Sequence, residues 1–366
     1  MARIFYSMSG EGRGHATRVR AIADLLRGQH EITLFAPGDA YELLAPAYAG
    51  TNVEVVSIPG LRFFYTPNHR LDPFRTIGMA SRYLAGFSRL GGCLRARIER
   101  EKPDLVITDF EPSLPRAAKR CRVPFISLNH QHFLIVNDLS DLPGWLRRHA
   151  FLMSLVVRSY YSGMARTIVS SFYFPPLKPG FRNVVQTGVI LRPSVLATAR
   201  RQGGHLVAYL RRFAPTNVVE SLKATGMPVK VYGLGSRPTD GNLQFEEINE
   251  ARFLEDLGSC EALVSTAGNQ LVGEALYLGK PVFALPEVNN HEQYINAFYL
   301  EKEGTGESCG IEELTPTRLG RFLEKLDHYR SRIDPEKFNG TPLAIRAVEE
   351  FLDQRTSSSP KGARPR

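Results

Sequence analysis

Short apolar runs recur along the chain, each ending in small or polar residues and followed by a stretch with helical spacing. The first run is Arg3 to Met8; a Gly-rich turn and an amphipathic pattern near Thr17 to Arg27 lead to a second at Glu31 to Ala36. Runs at Val53 to Ile58, Leu105 to Thr108 and Phe125 to Leu128 continue the series. Such alternation predicts a parallel sheet with helices on both faces. The scheme restarts at Leu206 to Tyr209 and continues through Val229 to Tyr232, Ala262 to Ser265 and Val282 to Leu285. Two α/β units, each a doubly wound parallel sheet, are therefore expected, over 1–190 and 191–335. A helix over 336–355 should pack back toward the first unit, and the small, Pro-containing, basic segment 356–366 reads as a disordered tail. Pro175 to Pro179 and Leu191 to Gly204 bracket the junction. Between Ile58 and Lys102 the spacing is non-periodic. That insertion sets Phe63, Phe64 and Tyr65 beside Arg62, His69 and Arg70, either as a lip for an acceptor or membrane or as an anchor for the loop itself.

Composition narrows the class. At 366 residues, with 43% hydrophobic and 23% charged positions, the chain has room for two globular cores. It contains no apolar run approaching the ~18 residues that a membrane span needs. The opening MARIFYSMSGEG begins directly in a strand-like run, without the order of a secretion signal, so a cytoplasmic location is expected. Cys93, Cys121, Cys260 and Cys309 lack metal-ligand spacing and read as small buried residues. Charge is uneven: residues 1–190 carry 24 Lys and Arg against 14 Asp and Glu, and the remainder 22 against 23. A basic first half suits a phosphorylated substrate or peripheral contact with an anionic membrane, the alternative being a solvated Arg-rich surface. No nucleic-acid partner is expected.

Candidate chemistry lies where strands end. The first turn, SMSGEGRGHATR, places Gly10, Gly12 and Gly14 before a helix N-terminus, which favours anions; Gly14 is a candidate phosphate contact. Position 15 is histidine, so the turn is not the dinucleotide fingerprint, and a histidine above a parallel sheet is placed for proton transfer. The run Leu105 to Thr108 ends in Asp109, which could orient His15 as a base, with Glu111 as a substitute. Asn129, His130, Gln131 and His132 end the next strand and are expected on the acceptor side, Asn129, His130 and His132 above all. In the second unit, Thr266 to Gln270 (TAGNQ) forms a strand-to-helix turn whose N–H groups can bind a diphosphate. Glu274 follows beside an apolar stripe and can accept hydrogen bonds from both hydroxyls of a ribose. Glu292 and Gln293 offer groups suited to sugar hydroxyls. The sequence contains no DxD, which disfavours a metal-bridged diphosphate, and no metal site or cofactor is expected beyond a nucleotide sugar as co-substrate.

These residues resemble those of GT-B glycosyltransferases. The GxGH turn, AGNQLVGEALYLGKPVFALP and HEQYINA are similar to elements of the MurG-type enzymes and the UDP-glycosyltransferases. In the latter a G-x(5)-E element and a D-Q-x-x-N-A element bind the donor. They match Gly268 to Glu274 and Glu292 to Ala297. The resemblance implies two Rossmann-like domains facing across a cleft. It assigns phosphate contacts near Thr266, Gly268, Asn269 and Gln270, ribose contact at Glu274, sugar contact at Glu292 and Gln293, and a His15 base partnered by Asp109. It also implies an inverting, metal-independent hexosyl transfer from a UDP-sugar to a hydroxyl acceptor, with a lipid or lipid-linked glycan among the candidates. The chain departs from the pattern in having Glu292 for the usual Asp and in LVAYLRRF, where Arg211 and Arg212 are placed to contact the diphosphate. Two other readings fit the same fold: a UDP-sugar 2-epimerase, which would use acids such as Glu111 and Glu292, and a non-catalytic sugar-nucleotide or lipid-binding protein.

Overall fold

The computed structural model describes residues 1–10, 13–60, 73–210 and 214–358, and gives the backbone alone for 13, 73–85, 356 and 358. Its first sheet comprises β1 (Arg3–Met8), β2 (Glu31–Ala36), β3 (Val53–Ser57), β4 (Leu105–Asp109), β5 (Phe125–Asn129), β6 (Arg166–Ser170) and β7 (Val184–Thr187). The second comprises β8 (Leu206–Tyr209), β9 (Val229–Tyr232), β10 (Arg237–Asp240), β11 (Leu243–Glu246), β12 (Ala262–Ser265), β13 (Val282–Ala284) and β14 (Gly306–Ser308).

The strand orders are β3-β2-β1-β4-β5-β6-β7 and β10-β11-β9-β8-β12-β13-β14, and every pairing is parallel except β10 with β11. Both sheets therefore reverse direction beside their first strand, between β1 and β4 and between β8 and β12. In open α/β sheets a ligand crevice lies beyond the strand ends at such a reversal. The apolar runs fill the sheets as expected for strands covered on both faces: β4, β5 and β12 are buried at every position.

The two halves are not separate bodies joined by a linker. One apolar cluster contains Phe172, Tyr173 and Val189 from the first half together with Leu263, Val272 and Ile295 from the second. The chain crosses to the second sheet after β7 and returns beside the same track, where Val189 bridges Asn339 and Leu191 N–H donates to Thr341 Oγ1 at 2.7 Å. The helix Thr341–Ser358 then lies on the first sheet, with Ala344, Ala347, Val348 and Leu352 in the cluster that holds Ile22 and Leu34.

Several expectations need correction. Much of the supposedly irregular insertion is one 29-residue helix, Pro73–Glu101; its Gly86, Gly91 and Gly92 interrupt the apolar spacing, while Leu94 and Ile98 still reach the core. The lip residues at 62–70 lie outside the described residues. Helix continues through the first residues of the expected tail, to Ser358, and 359–366 lie outside the description. Cys93 is exposed rather than buried, and all four cysteines are free.

Candidate active site

Register brings the first half of the site together. Met8 pairs with Asp109 across the β1–β4 ladder, and Ser9 N–H donates to the Asp109 carbonyl oxygen at 2.9 Å. The helix Arg13–Leu26 then carries His15 and, three residues later, Arg18 on the same face. Both reach Asp109. His15 Nδ1 lies 3.0 Å from Oδ1, while Arg18 donates from Nε to Oδ2 at 2.8 Å and from Nη2 to Oδ1 at 2.7 Å. The bidentate fork fixes the carboxylate plane, and a proton on His15 Nδ1 directed at Oδ1 leaves the Nε2 lone pair available. After Asp109 the chain turns at Phe110, whose φ of 58° is left-handed and whose ring stacks on Tyr160 at 4.6 Å.

Charge at this corner is balanced below the surface. Asp109 is fully buried and Arg18 nearly so. Burial acts to raise the Asp109 pKa, but the Arg18 charge, then His15, and their hydrogen bonds outweigh it and hold the carboxyl below the usual range. Burial likewise works against the Arg18 charge, and Asp109 overcomes it. Sequence reasoning missed Arg18, because an arginine one turn along an amphipathic helix ordinarily faces water. Only the bidentate contact of Arg18 with Asp109, at the end of β4, shows otherwise.

Three other expected first-half residues have structural duties. Glu111 accepts hydrogen bonds from the N–H groups of Ser113 (2.7 Å) and Leu114 (2.9 Å), tying down the start of the helix Ser113–Arg120, so its carboxylate is engaged as a helix cap. Desolvation raises its pKa, partly offset by those backbone bonds. Asn129 and His132 form an internal network instead of lining a crevice. Asn129 donates to Ser127 Oγ and to the Tyr161 hydroxyl, and its Oδ1 faces His132 Nδ1 at 3.1 Å. The His132 ring stacks on Tyr161, and burial pushes its pKa down to about 4.

His130 behaves differently. It is buried, lies 3.2 Å from both the Ser170 carbonyl oxygen and Asn296 Oδ1, and faces Glu292 Oε1 at 4.0 Å. Desolvation lowers its pKa, with Glu292 opposing. Tyr173 donates to the same Asn296 Oδ1 at 2.9 Å, and Asn296 donates onward to the Ala267 carbonyl oxygen at 2.8 Å. A residue at the end of β5 is thus joined to the turn after β12, and Asn296, Tyr173 and Ser170 make a joint that the sequence did not reveal.

In the second half, the helix Asn269–Tyr277 begins at Gly268 without a side-chain cap, and a Cβ on Gly268 would meet open space. Gly273, inside this element, is required by packing, since a Cβ there would lie 2.3 Å from Val189 Cγ1. Glu274 is buried and held from two sides: Gln270 Nε2 donates to Oε1 at 2.9 Å and Arg192 Nη2 to Oε2 at 3.2 Å. Gln270 also donates to the Ile190 carbonyl oxygen at 2.9 Å. The Asn269 side chain is directed at the first sheet, donating to the Ser170 carbonyl oxygen at 3.1 Å, so its amide ties the two halves together. Gln293 is also taken up locally: its Oε1 accepts from Glu287 N–H at 2.8 Å and its Nε2 donates to Glu287 Oε2 at 3.2 Å. Glu292 stays partly exposed and available, and Thr266 is buried in the turn.

In the first turn, Gly10 is glycine because a Cβ would lie 2.7 Å from the Pro37 carbonyl oxygen, a fold requirement rather than an approach to ligand. Gly14 is exposed with open space above it. Gly12, Arg211 and Arg212 lie outside the described residues.

Comparison with known proteins bears on the family and the fold. The sequence profile described as glycosyl transferase family 1 matches residues 2–327. An uncharacterized glycosyltransferase of Methanosarcina mazei is 24% identical, with 96% of this chain and 98% of that one covered. A Histophilus somni protein named UDP-N-acetylglucosamine–N-acetylmuramyl-(pentapeptide) pyrophosphoryl-undecaprenol N-acetylglucosamine transferase is 22% identical, over 94% of this chain and 96% of its own. Among solved structures, LpCGTa in complex with UDP superposes with a TM-score of 0.67 at 17% identity, covering 97% of this chain and all of that one.

Proposed function

Because the chain belongs to glycosyl transferase family 1 and has the two-sheet GT-B fold, we propose that it transfers a hexosyl group from a UDP-sugar to a hydroxyl acceptor, with inversion and without an essential metal. The observation that carries the reading is His15 clasped by Asp109 at the end of β4, together with an uncapped helix N-terminus at the end of β12.

The roles follow from the chemistry of each group. His15 Nε2 accepts the proton of the acceptor hydroxyl as that oxygen bonds to the anomeric carbon. The bond from that carbon to the donor phosphate oxygen breaks on the opposite face, so configuration inverts and UDP leaves with the electron pair. Asp109 keeps the imidazole in the required tautomer. Charge developing on the diphosphate is met by backbone N–H groups at the start of the Asn269–Tyr277 helix and by that helix's dipole, which supports a metal-free departure. Glu274 receives the ribose hydroxyls, exchanging its contact with Arg192 or Gln270 for them. Glu292, near the His130 ring, meets the sugar. A lipid-linked glycan is the preferred acceptor class, supported by the polyprenyl substrate named for the Histophilus somni relative. The capping duty of Glu111 withdraws one of the two acids on which an epimerase reading would depend.

A screen of UDP-, dTDP- and GDP-sugars for thermal stabilisation tests the donor. The bound donor adds about 2.7 kcal/mol of apparent stability at a hundredfold excess over its dissociation constant. No stabilisation by any UDP-sugar would remove the donor assignment.

A further inference from the structure

The helix Gly144–Tyr160 carries apolar residues on its outward face as well as its inward one, unlike an ordinary surface helix. Leu146, Ala150, Ser154 and Val157 face inward, at helical spacing, against the short helix Phe133–Val136 and the helix His291–Lys302. Its outward face carries Trp145, Phe151, Leu152, Leu155 and Val156, each 48–64% exposed. Of the eleven exposed large hydrophobic side chains among the described residues, five stand on this one helix of 17 residues. Scattered apolar residues on a surface are ordinary, but this concentration is not.

Its charge pattern identifies what covers it. The helix carries Arg147, Arg148 and Arg158, all exposed, and no acidic residue. Aromatic and aliphatic side chains framed by arginines, with no carboxylate among them, form the pattern of a helix lying in a bilayer interface. A second copy of the chain is a poor fit, because a two-fold contact would set this acid-free helix against itself and oppose its arginines. No helix among the described residues is long and apolar enough to cross a membrane, so the contact would be peripheral.

The helix also touches the site. Trp145 packs edge-on against Tyr294 at 5.6 Å and His149 stacks on His291 at 3.8 Å, and Glu292 lies between those two residues of the His291–Lys302 helix. We propose that the outward face of Gly144–Tyr160 docks on an anionic bilayer surface and thereby holds the mouth of the cleft against the membrane. The purpose of docking rests on the lipid-linked acceptor of the preceding reading, but docking itself requires no turnover.

The test is flotation of the full chain with vesicles of phosphatidylcholine containing ~30% phosphatidylglycerol, and with phosphatidylcholine alone, at low and high salt. Wild type should float with the anionic vesicles and leave them as salt rises. A Phe151→Ser, Leu152→Ser, Leu155→Ser variant should lose binding more than tenfold while melting as wild type does. Changing Arg147, Arg148 and Arg158 to Gln should cost about fivefold per arginine, on the order of a hundredfold together, and should abolish the salt dependence. Both variants should glycosylate a soluble acceptor at the wild-type rate. Wild type remaining unbound at low salt, equal binding to both vesicle types, or flotation of the serine variant like wild type would each overturn the proposal. So would self-association of unbound wild type by sedimentation that the serine variant abolishes, which would assign the face to a second copy. Failure of the activity itself leaves the flotation result standing, so the two readings fail separately.

Discussion

At the end of β4 the charge is carried by side chains: His15, Arg18 and Asp109 form a buried ion pair with an imidazole at its edge. At the end of β12 the polar side chains are turned away to hold the structure together, Asn269 to Ser170 and Gln270 to Glu274, leaving a helix N-terminus without a cap. Both sheets reverse direction beside their first strand, so each wall stands at the same kind of crevice. The first wall concentrates charge where a proton must move. The second offers backbone dipoles where a diphosphate must be held and then released. A fixed counter-ion suits the former, and a distributed field that needs no rearrangement suits the latter.

The largest effect on this contrast should come from His15→Ala. With donor affinity unchanged, turnover should fall about 10²- to 10⁴-fold, read as UDP release in the presence of acceptor. Unchanged turnover would remove His15 as the base. Next is Arg18→Gln, which strands a buried carboxylate and should cost about 3–5 kcal/mol of stability in urea unfolding. Adding Asp109→Asn should recover most of that loss, because the pair rather than either charge is what the interior tolerates. Failure to recover would mean that Arg18 matters through packing.

A third change isolates the network behind the first wall. The His132 pKa is depressed to about 4 by burial, so the folded protein keeps it neutral while the unfolded chain takes up a proton near pH 6.5. Its contribution is complete above pH 6.5 and is lost as pH falls toward 4, by about 3 kcal/mol at most. His132→Phe should flatten that part of the stability–pH curve; an unchanged slope would assign the acid sensitivity elsewhere. The smallest effect is expected on the second wall. Glu274→Ala should weaken UDP binding by roughly ten- to a hundredfold, equivalent to about 1.5–3 kcal/mol for hydrogen bonds to a charged group. It should also lower the melting temperature by leaving Arg192 unpaired, whereas Glu274→Gln should retain more of the fold than of the binding. Normal UDP affinity by calorimetry would take Glu274 out of the ribose site.

What the sequence made legible follows the same division. Strands such as Glu31–Ala36 and Ala262–Ser265 are short apolar runs with abrupt polar ends, so their limits are visible locally. Arg166–Ser170 and Val184–Thr187 were not recognised; the latter is only half-buried along most of its length and lacks a continuous apolar signal. His15 and Asp109 stood out because reactive residues at strand ends have a position that can be read. Whether a polar side chain faces ligand or a neighbouring backbone cannot be read in that way. Asn269, Gln293, Glu111 and Asn129 have suitable chemistry in suitable places, and each is directed inward by a partner distant in sequence or hidden in a turn.

The returning helix Thr341–Ser358 has a consequence for the order in which the molecule is made. It closes the apolar cluster of the first sheet, and His30 Nε2 meets Glu349 at 3.1 Å. A ribosome that has finished Thr187 has therefore synthesised every strand of that sheet but not its cover. About 150 residues remain to be added, roughly 8 to 30 seconds at ordinary rates of synthesis, during which the seat around Ile22 and Val185 stays open. The first half is begun first and completed last, so the nascent chain cannot finish one domain before starting the other.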